Sequence, residues 1–139
     1  MSQVVMNQES RSKVLVVDFD EQVLIALERL LEDAGIGTAT TWSAKQALEL
    51  LRAEKFDVLV AGDHFGDFSC EQLLREAQQR GLGASILVME SGGTRTSSAA
   101  AHFASLGAAE TVKRRELGKI VESTKILLAN RLSKGARAA

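Results

Sequence analysis

The sequence predicts an α/β fold, a parallel five-stranded sheet covered by helices on both faces, on three observations. Short apolar runs rich in β-branched residues alternate five times with segments of helical periodicity. Strand-then-helix repetition is the pattern of a parallel sheet with helical crossovers, and right-handed crossovers leave few topologies. Two of the helical segments open on a capping box, Ser43 to Gln46 and Ser69 to Gln72, in which a serine precedes glutamine by three positions.

The elements follow in order. Lys13 to Val17 is the first buried strand. Asp20 is placed to cap a helix whose apolar positions are Val23, Leu27, Leu30, Leu31 and Ala34; Gly35 and Gly37 stop it. Ile36 to Thr41 is a second strand, and Trp42 after it is expected to pack beside the Ser43 cap. The second helix carries Ala44, Ala47, Leu48 and Leu51 on one face. Phe56 to Ala61 is the third strand; the helix after Ser69 turns Cys70, Leu73, Leu74 and Ala77 inward. Ser85 to Met89 is the fourth strand. A polar, glycine-bearing loop from Ser91 to Ser98 leads to a small-residue helix with Ala99, Phe103 and Leu106 inward. Gly107 to Val112 holds a fifth strand, and the last helix is expected from about Arg115 to Leu132.

One folded unit over 13–132 is expected, with a mobile arm at 1–12 and a mobile tail at 133–139. A single cysteine rules out an internal disulfide, and neither a secretory signal nor a membrane-length apolar run is present, so a cytoplasmic protein is expected. Net charge is −1 but uneven. Residues 1–112 hold 9 Lys and Arg against 16 Asp and Glu, while residues 113–139 hold 8 against 2. The basic end suits an acidic partner, or simply a solvated helix whose cations complement its own C-terminal dipole. With no helix-turn-helix segment after residue 133, DNA binding is not expected, nor is membrane association.

In open parallel sheets, ligands sit at the carboxyl ends of the strands. The first strand leads into Asp18, Phe19, Asp20 and Glu21, and no glycine-rich phosphate loop is present there. Carboxylates at a strand end suit a hard cation such as Mg²⁺, which takes oxygen ligands. Gly62 and Asp63 follow the third strand, Glu90 and Ser91 the fourth, and Lys113 the fifth. Acids, a hydroxyl and a cation on one sheet edge have the makings of a site for Mg²⁺ and a phosphoryl group, with Lys113 offsetting developing charge. His64 is read as a loop histidine, His102 as a helix residue without an evident partner, and Cys70 as a small buried residue. No Ser-His-Asp order or zinc spacing is present.

Lys13 to Asp18, Phe56 to Val60 and the Leu106-Gly-Ala turn together resemble the receiver domains of two-component response regulators, over residues 13–132. The resemblance implies a flavodoxin-like fold with strand order 2-1-3-4-5. It also implies phosphoryl transfer from a histidine kinase to an aspartate with Mg²⁺ bound, and a changed surface on the fourth helix, fifth strand and fifth helix. Implied partners are a histidine kinase, another receiver or an output protein, with homodimers through the last helices as a further possibility. Such a domain is a signalling module, not an enzyme beyond self-phosphorylation.

The motif positions are altered. The usual pair of adjacent acids after the first strand is Asp18 and Phe19, with Asp20 one later. The phosphoacceptor position falls on Gly62; Asp63, one step on, has its side-chain direction reversed unless a bulge at Gly62 turns it back. The hydroxyl position falls on Glu90 or Ser91, and the lysine position on Lys113 or, without a gap, on Arg114. The chain has no proline, so the one that typically follows the lysine is missing. The expected function is an atypical single-domain receiver acting by protein–protein binding with phosphorylation lost or impaired. The alternatives are a working Mg²⁺-dependent phosphoacceptor that uses Asp63, with Asp18 and Asp20 as metal ligands and Ser91 and Lys113 as phosphate contacts, and an unrelated flavodoxin-like small-molecule binder.

Overall fold

The computed structural model of the chain describes residues 13–63, 68–91 and 96–138. Five strands and five helices alternate: β1 Val14–Val17, α1 Glu21–Asp33, β2 Thr38–Thr41, α2 Ala44–Ala53, β3 Val58–Gly62, α3 Cys70–Gln79, β4 Ser85–Glu90, α4 Thr96–Ser105, β5 Glu110–Lys113 and α5 Leu117–Ala138. All neighbouring strands are parallel, in the order β2-β1-β3-β4-β5. This is the expected flavodoxin-like arrangement.

Strand alternation sorts the core into two layers. Leu15, Val17, Leu59, Ala61, Ile86 and Val88 pack with Ala47, Leu48 and Leu51 of α2 and Leu73 and Leu74 of α3. Val14, Val16, Val58, Val60, Leu87 and Met89 pack with Leu24, Leu27 and Leu31 of α1 and Ile120 and Val121 of α5. β1 and β3 are sheathed on both faces, which is why their sequences are unbroken apolar runs. The edge strand β2 is threonine-rich instead.

The helix starts are set by the capping residues. The Asp20 carboxylate accepts from the Gln22 amide at 2.9 Å, the Ser43 hydroxyl from Gln46 at 3.1 Å, and the Ser69 hydroxyl from Gln72 at 3.0 Å. Gly35, at φ +82°, ends α1 in the left-handed conformation that glycine adopts without a Cβ clash.

Three details depart from the sequence reading. α5 continues to Ala138 rather than stopping near Leu132, because Lys134 to Ala138 contains no proline and one glycine only weakens a helix. Trp42 is 63% exposed; it follows an edge strand and lines an open cleft together with Leu24 and Ile25 of α1. The ring of His102 stands 3.0 Å from Glu71 Oε2, a partner supplied by α3 that helical spacing along α4 does not reveal.

Candidate functional site

The carboxyl ends of β1, β3, β4 and β5 converge as the sequence predicts. At their centre is Asp18, 1% exposed. Its Oδ1 accepts the Asp20 amide at 2.8 Å and Nη2 of Arg114 at 2.7 Å, and its Oδ2 accepts Nε of Arg114 at 3.0 Å. This is a two-pronged guanidinium–carboxylate pair, the strongest geometry open to such groups. Arg114 Nη2 also lies 3.5 Å from Asp20 Oδ2. The hydrogen bond to Asp18 raises the Arg114 pKa further above its ordinary value.

Phe19 completes the clamp. The Arg114 guanidinium carbon lies 5.3 Å from the centre of the Phe19 ring, within cation–π range. The backbone holds Arg114 in register as well, its amide donating to the Glu90 carbonyl at 2.9 Å. The cation that reaches Asp18 is therefore Arg114, and Lys113, its neighbour at the end of β5, pairs in register with Glu90.

Gly62 faces Asp18 from β3. A Cβ built on Gly62 would overlap Asp18 Oδ2 and stand 3.0 Å from its Cγ. The carboxylate of Asp18 thus fills the space into which a side chain at position 62 would project. Gly62 pairs in register with Met89, so β3 reaches its end without a bulge.

Asp63 lies just past the strand, and its carboxylate turns to the end of β4. Asp63 Oδ2 accepts the Ser91 amide at 2.9 Å, and the Ser91 hydroxyl lies 2.9 Å from Oδ1 and 3.0 Å from Oδ2. The structure thus joins Asp18, Asp20 and Arg114 through ion pairs and Asp63 with Ser91 through hydrogen bonds, and the charge of Asp63 also helps to raise the Arg114 pKa. His64 lies outside the described residues. Cys70 at the start of α3 is buried, and desolvation, then the charges of Glu71 and Asp63, push its thiol up to about 12. A thiol so placed stays protonated and inert.

The donor set does not fit Mg²⁺. Mg²⁺ needs near-ideal octahedral oxygen coordination, and both oxygens of Asp18 are engaged by Arg114, whose charge occupies the place of a cation. Among the described residues no group of three or more His, Cys, Asp or Glu could hold a metal ion.

Three features of the site escaped the sequence reading: the contact of Phe19 with Arg114, the fit of Gly62 against Asp18, and the pairing of Ser91 with Asp63. The signal for the first two was the co-occurrence of Phe19, Gly62 and Arg114 at the altered motif positions.

No family model matches the sequence, and no curated protein matches it. Solved structures do match. The receiver domain of a Francisella response regulator superposes with a TM-score of 0.80 at 18% identity, covering 87% of this chain and 99% of that one. A CheY-like receiver domain protein from Methanospirillum hungatei gives 0.78 at 18%, covering 88% and 98%. The signal receiver domain of an HD domain-containing protein from Pseudomonas fluorescens gives 0.78 at 19%, covering 98% and 99%. The chain has the receiver fold along nearly its whole length.

Proposed function

We propose that this chain is a receiver-type module of two-component signalling that acts by protein–protein binding, with phosphoryl transfer at the usual acceptor position lost. The observation that carries this reading is the closed Asp18–Arg114 pair over Gly62. Position 62 has no carboxylate to phosphorylate, and Asp18 fills the space one would take. Asp18, at the position of the metal-binding acid in receivers, is held by a guanidinium, and an aromatic ring stands where a second acid is usual. Such a domain keeps the folded surface of a receiver, and its partners are a histidine kinase, another receiver or an output protein.

A second reading has Asp63 as a displaced acceptor, supported by its contact with the Ser91 hydroxyl at 2.9 Å. Against it, both Asp63 carboxylate oxygens are engaged by Ser91, and the cation beside Asp63, Arg114, is already paired with Asp18. Intact-protein mass spectrometry after incubation with acetyl phosphate and Mg²⁺ separates the two. The binding reading expects no phosphoryl adduct on wild type. An adduct that vanishes in Asp63→Asn would overturn it and establish the displaced acceptor.

A further inference from the structure

The sheet has two open edges, β2 and β5. Edge strands carry unpaired amides and carbonyls, and proteins blunt them with charges or proline. β5 is blunted in this way, with Glu110 at one end and Lys113 at the other. β2 is not: from Ile36 to Trp42 there is neither a charged residue nor a proline. The Gly37 carbonyl accepts from the Val14 amide and the Thr41 carbonyl from the Asp18 amide, so residues 37 and 41 turn their backbone groups toward β1. By the alternation of a strand, Thr38 and Thr40 turn theirs outward. The Thr38 amide is covered, donating to Glu32 Oε2 at 3.1 Å. The amide and carbonyl of Thr40 face the open edge.

Beside Thr40 lies an open groove of about 530 Å³ between β2 and α1, with Leu24, Ile25 and Trp42 as its apolar walls and Glu21 and Glu28 lining it as well. Ile25 and Trp42 are 54% and 63% exposed, which puts bare apolar surface next to a bare strand edge. The charge here is one-sided: α1 exposes Glu21, Glu28, Glu32 and Asp33 against a single cation, Arg29.

That charge selects the occupant. A second copy pairing through β2 would set one acidic α1 against another. The chain's own basic segment belongs to α5, where the backbone is bonded within the helix and has no strand to offer. An extended basic segment meets every feature. Its backbone pairs with Thr40, as in strand addition. Its residue opposite Thr40 sends its side chain to the same face as Thr40, into the groove. An arginine there stacks on the Trp42 ring, where Glu21 and Glu28 make the groove negative.

We propose that the β2 edge takes an extended, arginine-bearing segment of a partner protein as a sixth strand, paired to Thr40 and seated by its cationic side chain on Trp42. This surface deepens the protein-binding reading and rests on it.

Trp42 is the only tryptophan of the chain, so its fluorescence reports the groove directly. The full chain is titrated with a blocked pentapeptide of alternating valine and arginine. Controls are the glutamate–valine counterpart, the arginine peptide N-methylated at its arginine amides, and arginine amide alone. The arginine peptide is expected to give a saturable change below millimolar concentration, and each control to bind at least about tenfold more weakly, the factor that about 1.4 kcal/mol supplies. Joint substitution Glu21→Gln and Glu28→Gln is expected to weaken the peptide about fivefold, the scale of an exposed ion pair, and added salt to weaken it further. No change with millimolar arginine peptide on folded wild type would overturn the proposal. So would equal binding of the glutamate or N-methylated peptide, arginine amide binding as tightly as the peptide, or an affinity untouched by the joint substitution. A Trp42 signal that depends on protein concentration without peptide would assign the edge to a second copy instead. The phosphoryl-adduct measurement is independent: no peptide binding and no adduct would remove this surface and leave the binding reading, whereas an adduct would remove that reading whatever the peptide does.

Discussion

Removing the guanidinium of Arg114 would leave the buried carboxylate of Asp18 facing only the Asp20 amide. Breaking a buried ion pair from one side costs about 3–5 kcal/mol, because the remaining charge stays desolvated. Arg114 is itself partly exposed, so Arg114→Ala is expected at the low end, about 3 kcal/mol, read as a lowered midpoint in urea denaturation. Arg114→Lys keeps the charge but cannot reproduce two parallel hydrogen bonds, and is expected to lose less. At Gly62, even a methyl group meets Asp18 Oδ2. Gly62→Ala is therefore expected to destabilise by about 1–3 kcal/mol, the usual cost of overpacking, and Gly62→Asp alone should fail to restore phosphorylation with acetyl phosphate. A stable, phosphorylated Gly62→Asp variant would refute the view that Asp18 blocks this position. Single residues were legible in the sequence as types at strand ends: Asp18, Asp63, Ser91 and a cation after β5. Which cation reaches Asp18 was not, because Lys113 and Arg114 are adjacent and a one-residue gap exchanges them. Only the pairing of β5 in register with β4 decides it.

At the scale of elements, the capping residues and apolar periods placed all ten helices and strands, because those signals are local. Contacts between elements were not legible. The Glu71–His102 pair is one, joining the start of α3 to α4. The Glu71 pKa is lowered, first by a hydrogen bond from the backbone at Glu71 and then by the hydrogen bond and charge of His102. The sign follows by linkage: a carboxyl depressed in the folded state adds stability that is present above its ordinary value of 4.5. That stability is lost as pH falls through the depressed value. Urea midpoints of wild type and Glu71→Gln should therefore differ most at neutral pH and converge in acid. A gap that widens in acid would contradict the assignment. Both side chains are well exposed, so the difference at neutral pH should be small. Trp42 teaches the same lesson in reverse. Its neighbour Ser43 caps α2 as expected, but whether a tryptophan beside a cap is covered depends on the strand order, which leaves β2 at the edge.

For the whole molecule, the layered architecture was readable because every signal agreed: apolar runs for the doubly covered strands, a polar run for the edge, and capped amphipathic helices between them. The arrangement of the candidate site was not, since it lies in how residues 18, 62 and 114, far apart in the chain, fit together. The proposed loss of phosphoryl chemistry has a global consequence. A working receiver answers a phosphoryl group by moving its fourth helix, fifth strand and fifth helix together, and a ligand shifts such an equilibrium only by its differential affinity for the two states. In the proposed reading, the acid at the metal position of receivers, Asp18, is engaged by Arg114, and Gly62 stands where receivers carry the carboxylate that beryllofluoride caps. Adding Mg²⁺ and beryllofluoride to the ¹⁵N-labelled chain is therefore expected to leave the amide resonances of α4, β5 and α5 where they were. Concerted shifts across those three elements would mean that a carboxylate of this site still takes the phosphoryl mimic. Repeating the titration on Asp63→Asn would then show whether Asp63 is that group. In the absence of such shifts, the surface of this domain is set when it folds, and any change in it has to come from whatever binds it.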